Sequence, residues 1–113
     1  TQTRCFTYID DFVEGILLAS SHPDADDEVF NLGNDTETTV RELADVVLSV
    51  AERDDLEPKY IDTDELYGDS YEDLERRVPD ATKARKLLGW TAETSLKTGI
   101  ERLLEWGQEN YRR

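Results

Sequence analysis

Apolar residues recur along this chain at helical spacing in four windows, separated by polar stretches rich in turn residues. The first window covers residues 11–20, where Phe12, Val13, Ile16, Leu17 and Ala19 form one face. Asp11 followed by Glu14 has capping-box spacing, which predicts that this helix starts at Asp11. A loop over 21–27, containing Pro23, ends it. Val29, Phe30, Asn31 and Leu32 then read as a short strand closed by Gly33-Asn34. Thr39 and Glu42 form a second capping box ahead of Val40, Leu43, Ala44, Val47, Leu48 and Ala51. Asp54-Asp55 is expected to stop that helix, and Lys59-Tyr60-Ile61 after Pro58 reads as another short strand.

Residues 62–79 carry no clear period and read as one long connection, a length that in a compact domain is usually functional or disordered. A third helix is expected from Asp80 as N-cap, with Ala81, Ala84, Leu87 and Leu88 on its apolar face. Gly89 supplies a left-handed C-terminal residue, and Trp90 is placed to pack back onto the helix. The fourth helix starts near Ser95 and is expected to point Leu96, Ile100, Leu103, Leu104 and Tyr111 inward. The order is helix, strand, helix, strand, loop, helix, helix: an α/β chain, mostly helical with a few short strands. A length of 113 residues fits a single domain over 1–113, or a fragment of a larger one.

Charge narrows the partners. With 27 acids against 13 bases the net charge is −14, which argues against nucleic acid and against anionic membrane faces. Asp24, Asp26, Asp27, Asp54, Asp55, Glu57, Asp62, Asp64 and Glu65 carry much of the excess, and four of the bases are lysines. Acid-rich, lysine-poor surfaces suit proteins that stay soluble in concentrated salt, where screening removes self-repulsion; a halophilic origin is expected. The hydrophobic fraction of 37% leaves a lean core that is expected to need a partner surface. Cys5 stands alone, so no disulfide framework and no cysteine metal site is expected. His22 beside Pro23 reads as a surface histidine. No apolar run approaches the ~20 residues that span a bilayer, and the polar opening Thr1-Gln2-Thr3-Arg4 lacks the pattern of a signal peptide. A soluble, reducing, cytoplasmic setting follows as the expectation.

Catalytic motifs are missing. The chain has no Gly-x-Gly-x-x-Gly after a strand, no P-loop and no Tyr-x-x-x-Lys, and its one histidine offers no Ser-His-Asp set. Asp62, Asp64, Glu65 and Asp69 come nearest to a cation site, yet no EF-hand spacing appears, and a solvated acidic loop is the better reading. No catalytic, cofactor-binding or metal-ligating residue is assigned. What remains are anion-binding candidates: Arg4 beside Gln2 and Thr3, and the adjacent Arg76 and Arg77 ahead of Pro79-Asp80. Guanidinium forks from two distant segments suit a diphosphate. The competing reading pairs these arginines with Glu72, Asp73 or Glu75, and composition alone favours it.

The order of motifs changes that balance. The segment 1–11 (TQTRCFTYIDD) resembles the opening of the late part of extended short-chain dehydrogenase/reductases acting on nucleotide sugars. Val29 to Asn34 (VFNLGN) is similar to that family's NxG strand end. Residues 39–48 resemble its next helix, and Arg76-Arg77-Val78-Pro79-Asp80 with Lys83-Ala84 and Leu87-Leu88-Gly89-Trp90 resembles its closing motif. Ser95-Leu96 and Gly99-Ile100 are similar to its last helix. Arg4-Cys5-Phe6-Thr7, and Tyr71-Glu72-Asp73 leading to Arg77, place the nearest likeness with NAD-dependent UDP-glucuronate decarboxylases and UDP-sugar 4-epimerases.

That resemblance implies that Arg4 and Arg77 face the substrate diphosphate or sugar, with Arg76 as helper and Gln2 in support of Arg4. Tyr71 would lie near the nucleotide base or ribose. The implied chemistry is transient oxidation at sugar C4 by NAD, then epimerisation, dehydration or decarboxylation, then hydride return. It requires a Rossmann half with a glycine fingerprint and a Tyr-x-x-x-Lys pair, so this chain is expected to be the C-terminal substrate-binding portion only. Residues 1–34 would pack on that Rossmann half and 35–113 would form the substrate lobe, with a homodimer as a further expected partner. The alternative is a stand-alone acidic interaction module with no catalytic role.

Overall fold

The computed structural model describes residues 2–59, 61 and 76–111. Its elements run β1 (Thr3–Arg4), α1 (Ile9–Ser21), a 3-10 turn (Pro23–Ala25), β2 (Thr38–Thr39), α2 (Val40–Val50), α3 (Thr82–Leu88) and α4 (Leu96–Asn110). β1 and β2 pair antiparallel, with Thr3 opposite Thr39 and Arg4 opposite Thr38. The mostly helical α/β expectation holds. The strands, however, are not where periodicity put them.

Residues 29–32, Lys59 and Ile61 adopt no regular structure, and Tyr60 lies outside the described residues. A strand persists only where a neighbour takes its backbone groups. Among the described residues 29–32 have no such neighbour; instead Phe30 and Leu32 pack onto the core while Val29 is 81% exposed. The chain pairs Thr3–Arg4 with Thr38–Thr39, two short polar runs that carry no apolar alternation.

Two of the helix starts, those of α2 and α4, carry a side-chain cap. Thr39 caps α2 by accepting from the Glu42 N–H at 3.0 Å, and the Glu42 carboxylate accepts in return from the Thr39 N–H at 3.4 Å. α2 ends at Val50, before the expected Asp54-Asp55 stop, because Glu52 turns left-handed at φ 57° and Arg53 N–H closes on the Leu48 carbonyl. Ser95 caps α4 through the Thr98 N–H at 3.2 Å. α3 starts one residue later than expected: Ala81, not Asp80, is its N-cap, and the Asp80 carboxylate accepts from the Thr82 N–H and hydroxyl. Gly89 closes α3 at φ 67°, a conformation that a side chain at Cβ disfavours.

Asp11 departs most from expectation. α1 begins at Ile9 after Tyr8, so Asp11 is not a cap but a buried residue of the first turn. Its carboxylate accepts from the Thr94 N–H at 2.9 Å and the Thr94 hydroxyl at 3.1 Å, tying α1 to the loop before α4. The backbone of the same residue is used as well: the indole N–H of Trp90 donates to the Asp11 carbonyl at 2.8 Å. Trp90 is 2% exposed and joins Ala25, Ala84 and Leu88 in the core, with Leu18, Ala19, Phe30, Leu32, Ala81 and Ala92 packed around them.

α2 packs chiefly against α4, and α1 packs against α3 and the 3-10 turn. The lean core leaves apolar surface outside. Ile9, Phe12, Val13, Ile16 and Leu17 of α1 are all exposed, Leu17 at 62%. Leu103 at 58% and Tyr111 at 72% also face out, against the expectation that they point inward, whereas Leu96, Ile100 and Leu104 are half-buried. No described helix is long and apolar enough to cross a membrane.

Candidate functional site

β1 carries Arg4 opposite Thr38, in a stretch pinned to β2 and the start of α2. Its neighbour Thr3 pairs with Thr39, and the Gln2 carbonyl accepts from the Val40 N–H at 3.1 Å. Arg4 is half-buried, and its Nη1 donates to the Thr3 carbonyl at 2.6 Å, which bends the guanidinium back along the strand. The second contributor is the irregular stretch 76–80. Pro79 lies so close to Gly33 that a Cβ added at Gly33 would meet the Pro79 ring Cγ at 2.7 Å. Next to it, Asn34 N–H donates to the Thr7 hydroxyl at 3.0 Å and Asn34 Nδ2 donates to the Phe6 carbonyl at 3.3 Å. The Gly33-Asn34 turn thus gathers 6–7 and 79 at one place.

The result is an open hollow of about 560 Å³ lined by Arg4, Cys5, Arg76, Arg77, Val78 and Pro79. Two segments more than seventy positions apart in sequence bring three arginine residues to one hollow. Gln2 is half-buried beside it but does not line it, and Tyr71 lies outside the described residues. A neighbouring hollow of about 540 Å³ shares Arg76, Val78 and Pro79 and continues to Glu37, Arg85 and Trp90. An array of forks with an apolar floor at Val78 and Pro79 can hold an anion with two or more oxygens.

Arg76 already has a carboxylate. Its Nε donates to Glu37 Oε1 at 2.8 Å and its Nη2 donates to Oε2 at 3.1 Å, a fork-to-fork pair across 39 positions. The Thr3 hydroxyl donates to the same Glu37 Oε1 at 3.0 Å. These two donors hold the Glu37 carboxyl below the usual carboxylate range, the Arg76 bond first, and Glu37 in turn raises the Arg76 guanidinium. A depressed carboxylate keeps its tie above its unfolded pKa and loses it as pH falls through the lowered folded value. Glu72, Asp73 and Glu75, the acids expected to compete for the arginines, lie outside the described residues. The Glu37 partner was not legible, because no local spacing connects residues so far apart.

Cys5 lies on the wall of the hollow. Burial first, then the Glu37 and Asp35 carboxylates, push its thiol above the ordinary range, with Arg76 opposing. The thiol should therefore stay protonated at neutral pH. Alkylation by iodoacetamide at pH 8 is expected to be slower than that of free cysteine; equal or faster labelling would contradict this electrostatic picture. Among the described residues no group of three or more His, Cys, Asp or Glu side chains is placed to hold a metal ion.

Comparison with known proteins adds lineage to this geometry. The family model described as GDP-mannose 4,6 dehydratase matches residues 1–103. UDP-D-apiose/UDP-D-xylose synthase 1 of Arabidopsis thaliana is 36% identical over 116 residues, covering 96% of this chain and 30% of the relative. The corresponding synthase of Oryza sativa subsp. japonica is 34% identical over 117 residues, again 96% of this chain and 29% of the relative. Among solved structures, UDP-glucose 4-epimerase from Thermotoga maritima with UDP-glucose superposes with a TM-score of 0.81 at 31% identity, over 96% of this chain and 32% of that one. Bordetella bronchiseptica WbmF in complex with NAD+ and UDP shares the fold at a TM-score of 0.75 and 22% identity, over 96% of this chain and 30% of that one. The chain spans about 30% of the length of the curated relatives it matches.

Proposed function

This chain belongs to the GDP-mannose 4,6 dehydratase family, and from that premise we propose that it is the nucleotide-sugar-binding portion of an NAD-dependent enzyme acting on a UDP-sugar. What carries the reading is the shared hollow: Arg4 from β1 and Arg77 from the 76–80 stretch face one space of about 560 Å³. Two guanidinium groups converging from separate segments neutralise a diphosphate and fix its orientation, which is how remote binding holds a sugar for reaction. Arg76 assists, Gln2 supports Arg4 from the residue before β1, and Tyr71 contacts the base or ribose.

This chain contributes no glycine fingerprint and no Tyr-x-x-x-Lys, so the cofactor NAD belongs to an N-terminal Rossmann half. The chemistry such a cofactor supplies is reversible hydride transfer at sugar C4. Within that division of labour the present residues bind and orient; they do not move protons or hydride. Residues 1–34 pack on the Rossmann half, the substrate lobe is 35–113, and the exposed Ile9, Phe12, Val13, Ile16 and Leu17 of α1 supply the apolar area for that contact or for a homodimer. The overall reaction is an epimerisation, dehydration or decarboxylation, of isomerase or lyase type, in the cytoplasm. Incubating the full-length enzyme with UDP-glucuronate should yield either released carbon dioxide and a UDP-pentose or the 4-epimer. Recovery of unchanged UDP-glucuronate and of every other UDP-sugar offered would sink the proposal.

The second reading, a stand-alone acidic interaction module, draws on one observation: Arg76 is engaged by Glu37. It expects no affinity for UDP. The net charge of −14 further supports a halophilic setting. Screening of that self-repulsion should raise the melting temperature between 0.1 M and 2 M KCl; a melting temperature indifferent to salt would count against it.

A further inference from the structure

The proposed clamp has two jaws on separate segments, and something must fix their spacing. β1 is held by its pairing with β2, which leaves the irregular 76–80 stretch as the jaw that needs a tether. Pro79 against Gly33 anchors one end of it. At the other end stands Glu37, immediately before β2, which accepts from three donors on two elements. The Thr3 hydroxyl reaches it at 3.0 Å from β1, and Arg76 grips both its oxygens at 2.8 and 3.1 Å. Thr3 precedes Arg4 and Arg76 precedes Arg77, so one carboxylate spans the residues adjacent to both jaws.

We propose that Glu37 is a positioning residue: it and Arg76 form a strut that sets the separation of Arg4 and Arg77, and Arg76 serves the strut rather than the ligand. This rests on the diphosphate reading given above and deepens it by making the assistance of Arg76 indirect, through Glu37, while Arg77 meets the ligand. A guanidinium whose Nε and Nη2 are both committed to a carboxylate has its planar fork filled, so a phosphate would have to displace Glu37 to receive it. Arg77 lies on the next residue and lines the same hollow as Arg4.

The sign of one substitution separates the strut from its rival. Glu37→Gln removes a negative charge within reach of the hollow. If Arg76 is itself a phosphate ligand, that change frees it and lowers repulsion, so UDP should bind equally well or more tightly. If Glu37 positions the clamp, UDP should bind more weakly in spite of the favourable change in charge.

The experiment is calorimetric titration of UDP, with NAD titrated in parallel, on the full-length protein and its variants. Contacts that act as one unit couple strongly, so Glu37→Gln and Arg76→Ala should each weaken UDP roughly fivefold. The double variant should be no weaker than the worse single one. Arg76→Lys, which keeps a single charge-assisted bond to Glu37, should recover part of the loss. NAD affinity should stay unchanged throughout, whereas a general loss of folding would lower both affinities. Should Glu37→Gln fold poorly, Glu37→Asp takes its place: it keeps the charge but shortens the strut, so weaker UDP binding supports the strut and unchanged or tighter binding overturns it. An unchanged or tighter UDP affinity in Glu37→Gln, or no recovery in Arg76→Lys, overturns the strut. If Arg77→Ala leaves UDP affinity intact, the diphosphate reading itself fails; if Arg77→Ala weakens UDP while Glu37→Gln does not, only the strut fails.

Discussion

Arg77→Ala in the full-length enzyme should weaken UDP binding by about ten- to a hundredfold while leaving the melting temperature nearly unchanged. The magnitude follows from the worth of a hydrogen bond to a charged group, roughly 1.5–3 kcal/mol, at about tenfold per 1.4 kcal/mol. Arg77 is exposed and lies on an irregular segment, so truncating it removes little packing. Lysine at the same position should recover only part of the affinity, because a point charge lacks the planar fork that matches two phosphate oxygens. Isothermal titration with UDP reads both effects. Unchanged affinity in Arg77→Ala would favour the acidic-module reading.

The largest effect on stability is expected from Trp90→Ala. Trp90 is the largest fully buried side chain of the described residues, and its indole N–H donates to the Asp11 carbonyl at 2.8 Å. Removing such a ring from a core typically costs about 3–5 kcal/mol, against a total stability of about 5–15 kcal/mol for a domain. For a domain of this size that corresponds to a fall in melting temperature of about 15 °C or more. Trp90→Phe keeps most of the apolar area but loses the hydrogen bond, and should cost about 1–2 kcal/mol. Thermal unfolding followed by circular dichroism distinguishes the three proteins. A loss below about 1 kcal/mol for Trp90→Ala would mean that the core lies elsewhere.

Helix ends were legible wherever the signal was local: Thr39 with Glu42, Ser95 with Thr98, and Gly89 followed by Trp90 all act within a few residues. Asp11 misled because its spacing to Glu14 imitates a cap, whereas its carboxylate is used by Thr94, 83 positions away. The strands misled for a related reason. Apolar character at 29–32 reports burial, and Phe30 and Leu32 are indeed packed on the core, but pairing depends on a neighbour that pattern alone does not reveal.

The candidate site divides the same way. Arginine clusters were visible as charges in an acidic chain, and the order of motifs implied that Arg4 and Arg77 share a ligand. That they line one hollow is a property of the fold, set by the Gly33-Asn34 turn that gathers Phe6, Thr7 and Pro79. In the sequence Glu37 looks like one more surface acid. Its role depends on Arg76 across 39 positions, a distance over which no periodicity or spacing carries information.

The most direct test is a crystal structure of the full-length enzyme with UDP bound. Arg4 and Arg77 should both donate to diphosphate oxygens at about 2.7–2.9 Å, the range of charge-assisted bonds, with Tyr71 against the uridine and Arg76 still on Glu37. A nucleotide held at a distance from the hollow, with Arg4 and Arg77 both bonded to protein carboxylates, would contradict the account.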